Sequence, residues 1–246
     1  MTQRLLTVTA LVALAAGMTG SRLGAQTPAT PTIDQILDKY VTASGGRAAI
    51  EKITSATAKG TLQIPDVGMS GSIELYQKAP DKALTVVDFA GIGQQREGFD
   101  GTVGWSEDPQ NGLRQKDGVE LAEAKRTSIF GRELKMKAIY QTMTVKGRER
   151  VGTRDAFLVE AVPVEGAPVR LYFDAESGLL VRQISTRQTV QGPLEVDVTY
   201  EDFRDVDGVK RAFTVHQATA MFTATIQLSE IKQNVPIDDA IFKIPK

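Results

Sequence analysis

The chain has 246 residues, 41% hydrophobic and 24% charged, with 29 basic residues against 30 acidic ones. That balance excludes long disorder, collagen-like repeats and nucleic-acid binding by bulk charge. Zero cysteines exclude disulfides, thiolate nucleophiles, cysteine zinc sites and iron–sulfur clusters, and a single histidine, His216, argues against histidine metal sites and a serine-type triad.

Met1 to Arg4 is a short basic start, followed by an uncharged apolar run over Leu5 to Met18 and small residues up to Ala25. This is the layout of a secretory signal peptide, with cleavage expected after Ala25. The apolar run is shorter than the ~20 residues a spanning helix needs, and no cysteine follows it for lipid attachment. Loss of Arg4 and Arg22 would leave 27 basic residues against 30 acidic ones, a mildly acidic mature protein without a stable membrane anchor. A periplasmic or secreted location is therefore expected, with residues 26–31, which hold two prolines, as a linker.

From Thr32 the pattern is helical: Ile33, Ile36, Leu37, Tyr40 and Val41 recur at spacings of three and four. Thr32 or Asp34 suits the cap, and Gly45-Gly46 is a stop. After a second helical turn over Ala48 to Ile53, period-two alternation begins. Ala56, Ala58, Leu62 and Ile64 alternate with polar residues, as do Met69, Ile73 and Leu75, then Thr85, Val87 and Phe89. Asp100-Gly101 reads as a two-residue hairpin turn, which would set Trp105 across from Arg96. Residues 119–139 break the alternation. Val119, Leu121, Ala124, Ile129, Phe130, Leu134 and Met136 there suit one or two amphipathic helices interrupted at Gly131, covering an apolar face or closing a cavity.

Strand patterns resume at Met143–Arg150 and recur over Phe157–Val162, Val169–Asp174, Leu179–Gln188, Leu194–Phe203, Arg211–Ala218 and Phe222–Gln233, with a turn at Asp207-Gly208. Eleven or twelve antiparallel strands at hairpin spacing predict one mainly β domain over 32–246, a single large sheet or barrel.

Few residues suggest chemistry. His216 falls on the polar side of its strand, and the pairs Glu107-Asp108, Glu201-Asp202 and Asp238-Asp239 point to opposite faces of an extended chain. Gly91-Ile92-Gly93 lacks the rest of a dinucleotide fingerprint and any strand–helix crossover. Lys125, Arg126, Arg132, Lys135 and Lys137 read as a solvated helix face, the alternative being a face that meets anionic lipid headgroups or an acidic partner. No catalytic residue, cofactor or metal site is expected.

Several local patterns resemble the LolA/LolB-like superfamily, described as periplasmic outer-membrane lipoprotein-sorting proteins. They are Asp100-Gly101-Thr102-Val103-Gly104-Trp105, the run from Tyr172 to Arg182, and the closing stretch from Val235 to Phe242. The resemblance implies an incomplete antiparallel β-barrel whose helices plug an apolar concavity, which in the carrier branch accepts acyl chains of lipoproteins. It carries no arginine matched to that branch's ligand-release site. The expected role is a non-catalytic binder or carrier of lipids or lipidated proteins, with acyl chains as partners. The alternative is a protein-interaction or sensor domain with an envelope protein as partner. The candidate ligand-binding residues are Leu62, Ile73, Leu75, Val87, Phe89, Trp105, Phe130, Phe157, Val159, Val196 and Val198. Ile33, Ile36, Leu37 and Tyr40 are expected to pack into the same concavity.

Overall fold

A computed structural model describes residues 30–189 and 192–246. The expected leader over 1–25 and the linker up to residue 29 lie outside the described residues. Helix α1 (Ile33–Ala43) opens on a reciprocal cap. The Gln35 backbone N–H donates to Thr32 Oγ1 at 3.3 Å, and the Thr32 N–H donates to Gln35 Oε1 at 2.9 Å. The helix stops where Gly45 and Gly46 take φ of 120° and 84°. Gly45 is required for a second reason: a Cβ there would strike the Gly208 carbonyl, so the helix end could not seat on that turn. A short helix α2 (Arg47–Glu51) follows.

Two antiparallel meanders make the sheet. The first comprises β1 (Ser55–Ile64), β2 (Met69–Lys78), β3 (Lys82–Phe89), β4 (Gly93–Phe99), β5 (Gly104–Asp108) and β6 (Gly112–Gln115). The second comprises β7 (Thr142–Val151), β8 (Arg154–Val162), β9 (Val169–Asp174), β10 (Leu180–Thr189), β11 (Gly192–Val206), β12 (Val209–Ala218) and β13 (Thr223–Gln233). Strand β13 pairs with β1, so the order is β6-β5-β4-β3-β2-β1-β13-β12-β11-β10-β9-β8-β7, one 13-stranded sheet with free edges at β6 and β7. The fold is mainly β and the sheet does not close into a barrel. Strand β6 has no counterpart in the sequence pattern: its single large apolar residue, Leu113, is exposed, so no alternation marks it.

The sheet is strongly curved. Arg187 Nη2 of β10 meets Glu97 Oε1 of β4 at 3.0 Å, although the two strands stand seven places apart in the sheet. At the ~4.8 Å between neighbouring strands a flat sheet would hold them roughly 34 Å apart. Only a sheet rolled towards the face that carries both side chains can bring them together.

Directly paired residues share a face, so register identifies the concave one. Ile73 pairs with Val87, Leu62 with Ile226, Val159 with Leu171, Leu171 with Gln183 and Gln183 with Val198. Ile36 and Leu37 of α1 pack on this face against Phe157, Val159, Leu171 and Phe173, with Ile33 and Tyr40 beside them. The Tyr40 and Phe173 rings meet edge to face, their centroids 5.2 Å apart.

The insertion between the two free edges crosses the concave side. It contains α3 (Gly118–Ser128), a 3-10 turn over Arg132–Leu134 and α4 (Met136–Ile139), and Gly131, with φ of 64°, breaks it as expected. Met136, Ile139 and Tyr140 join the α1 cluster, while Phe130 packs with Ile50, Ile53 and Val209. On the convex face, the segment after β13 covers β2 to β5: Ile237 and Phe242 bury Leu84 and Trp105.

Candidate functional site

Between the insertion and the concave face lies a cavity of about 390 Å³. Its sheet wall includes Ala58, Leu75, Thr85, Val215, Leu228 and Ile231, and its roof is Ile129, Phe130 and Met136. The opening arises partly because β12 pairs with β13 only over Thr214–Ala218, although β12 begins at Val209. Below that point the two strands part, and the end of α1 fills in: the Lys210 N–H donates to the Ser44 carbonyl at 3.0 Å.

The polar lining is concentrated near the roof. Glu133 accepts from Arg211 Nη1 at 2.7 Å, and this pair is mostly shielded from solvent. Among the described residues, Arg132 Nη2 reaches only the Tyr140 hydroxyl, at 3.5 Å, and its Nε is buried with no hydrogen-bond partner. Tyr40 and Tyr200 also face the cavity. Burial pushes both phenols above their usual range, Tyr40 far above it, and the neighbouring Arg132 charge does not offset it. Both are therefore neutral hydrogen-bonding groups at any physiological pH.

A second cavity, of about 300 Å³, lies between α3 and the concave face and is polar. Lys116 bonds Glu97, Arg187 bridges Glu97 at 3.0 Å and Glu123 at 3.3 Å, and Arg114 bonds Glu120 at 2.6 Å. Burial tends to raise the Glu97 carboxyl, but Arg187 and Lys116 more than reverse this and hold it at about 2. Glu97, Glu120 and Glu123 engage all three bases, and Asp108, the fourth acid of the lining, accepts from the Gln110 and Asn111 N–H groups, which makes this a latch for α3 rather than a charged receptor.

The sequence-expected residues divide among these surroundings. Leu75 and Phe130 line the apolar cavity. Leu62, Ile73, Val87 and Phe89 form an adjoining apolar cluster on the same face. Phe157 and Val159 lie beneath α1, Val196 lines the polar cavity, and Val198 is half-buried opposite Gln183. Trp105 is elsewhere. It points to the convex face, fully buried under the C-terminal segment, with Nε1 donating to the Phe242 carbonyl at 2.8 Å. It stands across from Gly98, not Arg96, because the turn uses four residues: Asp100 Oδ1 accepts from the Thr102 and Val103 N–H groups. A Cβ at position 98 would run into the indole. His216 is exposed, beside Thr225 and Glu201. Arg132 and Glu133 were not singled out by the sequence as cavity residues.

Solved structures with the same architecture decide the fold. A DUF1329 family protein from Desulfovibrio piger is 14% identical, with a TM-score of 0.58 over 87% of this chain and 98% of that one. A LolA superfamily protein from Nitrosomonas europaea is 14% identical, with a TM-score of 0.56 over 87% of this chain and 98% of that one. The fold is LolA-like. A Vibrio parahaemolyticus protein described as an outer membrane lipoprotein-sorting protein domain is 13% identical, with a TM-score of 0.58 over 85% and 96% of the two chains. No protein-family model and no curated protein matches this chain. Identity this low carries the LolA-like architecture and leaves the role to be argued from the site.

Proposed function

We propose that this LolA-like domain binds lipid or a lipidated protein in the cell envelope, as a non-catalytic binder or carrier. The observation that carries this reading is the roofed apolar cavity of about 390 Å³ on the concave face. That volume lies in the usual range for small-molecule sites, roughly 300–1,000 Å³. A lining of Leu75, Leu228, Ile231, Ile129, Phe130 and Met136 suits an acyl chain. Such a chain is held by removal of apolar surface from water, each buried CH₂ contributing about 0.8 kcal/mol. The leader over 1–25, cleaved after Ala25, would place the protein in the periplasm or outside the cell, and residues 32–246 would form the binding domain. The likeness to a lipoprotein-sorting domain supports the reading at the level of fold.

Delipidated protein titrated with a long-chain fatty acid or lysophospholipid should take up about one molecule per chain at micromolar concentration, counted by native mass spectrometry. An organic extract of freshly purified protein should contain the resident lipid. Failure to take up any apolar molecule would remove the carrier reading and leave recognition of an envelope protein as the alternative.

A further inference from the structure

The apolar cavity is not electrically balanced. Its lining contains three cationic residues, Arg132, Lys210 and Arg211, and one carboxylate, Glu133, which Arg211 already engages. Lys210 is exposed and hydrated, so its charge needs no partner. Arg132 is half-buried, and among the described residues no carboxylate lies within ion-pair distance of it. A guanidinium carries five N–H donors, and here one is buried without an acceptor while another has a single long contact to Tyr140. Withdrawing such a group from water without an anion is costly. The fold nevertheless holds it there: Gly131 in the left-handed region turns the chain, and the Arg132–Leu134 turn packs against α1. The phenols of Tyr40 and Tyr200 lie in the same lining and stay neutral, so they can donate hydrogen bonds to an anion but cannot neutralise the arginine.

We propose that Arg132 is the head-group site of this cavity, and that the ligand is a single-chain amphiphile with an anionic head, a carboxylate or a phosphate. This rests on the lipid-binding reading above and narrows it. The volume of about 390 Å³ is near the low end for ligand cavities, which favours one chain over several. Both candidate heads match the planar fork of a guanidinium, which binds carboxylate and phosphate through paired hydrogen bonds. The acyl chain runs along Leu75, Leu228 and Ile231 while the head engages Arg132 beside the tyrosines.

The test compares heads on one chain length, using the delipidated full chain after removal of any leader. Palmitate, hexadecyl phosphate, 1-hexadecanol and hexadecyltrimethylammonium are titrated below their aggregation thresholds, with bound ligand read by native mass spectrometry and calorimetry. Palmitate or hexadecyl phosphate should bind about 10- to 100-fold more tightly than hexadecanol, the factor expected of a charge-assisted hydrogen bond in a shielded site. The cationic amphiphile should bind most weakly. The stronger of the two anionic probes identifies the head as carboxylate or phosphate. Arg132→Gln should abolish the preference while changing hexadecanol affinity less than about threefold, and Arg132→Lys should retain part of it. The wild-type comparison stands even if one variant fails to fold. Equal affinity for hexadecanol and both anions would overturn the head-group assignment while leaving lipid binding intact. Uptake of none of the four would overturn both.

Discussion

The two ends of the insertion are fastened to the same curved sheet by opposite means. Helix α3 is held by charge: Lys116, Arg187 and Arg114 interlock with Glu97, Glu123 and Glu120. The stretch from Ile129 to Tyr140 is held chiefly by apolar burial, with Phe130, Met136, Ile139 and Tyr140 each less than a tenth exposed and one shielded ion pair, Glu133 to Arg211, beside them. Charge pairs are directional and break in discrete steps, whereas apolar packing is not directional and scales with area. The contrast assigns a latch to one end and a plug to the other, and the apolar cavity lies under the plug.

The largest expected effect comes from the plug. Phe130→Ala leaves a void among Ile50, Ile53 and Val209 and should cost about 3–5 kcal/mol, measured by urea denaturation. If the loss is below about 1 kcal/mol, the roof is not packed as described. A smaller effect is expected at the latch. Lys116, whose side chain is 4% exposed, is the buried cation there, and Lys116→Met should cost about 1–3 kcal/mol because Arg187 still compensates Glu97. The double variant should be close to additive if latch and plug act independently.

The convex face provides the control. Trp105→Phe removes the hydrogen bond to the Phe242 carbonyl and should cost about 1–2 kcal/mol, with ligand uptake unchanged. A large change in uptake would mean that the two faces communicate. The smallest effect is expected with pH, through carboxylates that their cationic partners hold low. The Glu97 carboxyl is held at about 2 against an ordinary 4.5, so its stabilisation is complete above pH 4.5 and fades as pH falls towards 2. Asp239, bonded to Lys78 and Lys82 and also held at about 2, contributes in the same window. Glu97→Gln should flatten the fall in melting temperature between pH 5 and 2.5 without removing it.

Much of this architecture could be read from residue order. Alternation placed Ile73, Val87, Val159 and Val198 on one face because a strand's side-chain period admits only two choices. The Thr32 cap and the break at Gly131 follow from local chemistry. What was not legible depended on distant chain. Asp207-Gly208 forms the two-residue hairpin its sequence suggests, with φ of 49° and 83°. In Asp100-Gly101 the aspartate side chain instead captures two N–H groups and lengthens the turn. Trp105 is buried by residues 137 positions later, which no local pattern encodes. Arg132 belongs by sequence to a run of basic residues on a hydrated face. Its neighbour Lys137 does pair in solvent, with Asp34, and only the turn after Gly131 separates the fates of the two.

The pairing of β1 with β13 has a consequence for how the chain acquires its structure. Each meander is built from hairpins between near neighbours, but the seam joins Ala56 to Gln233 and Gln63 to Thr225. Loop-closure entropy must be met before such a contact is rewarded, and topologies rich in distant pairings fold slowly. The two halves can therefore collapse early and separately, while the step that turns them into one vessel waits for the last strand. A chain ended before Thr223 would keep β1 to β6 and β7 to β12 but lose β13 and the seam, and it is expected to refold faster than the intact protein in stopped-flow measurements.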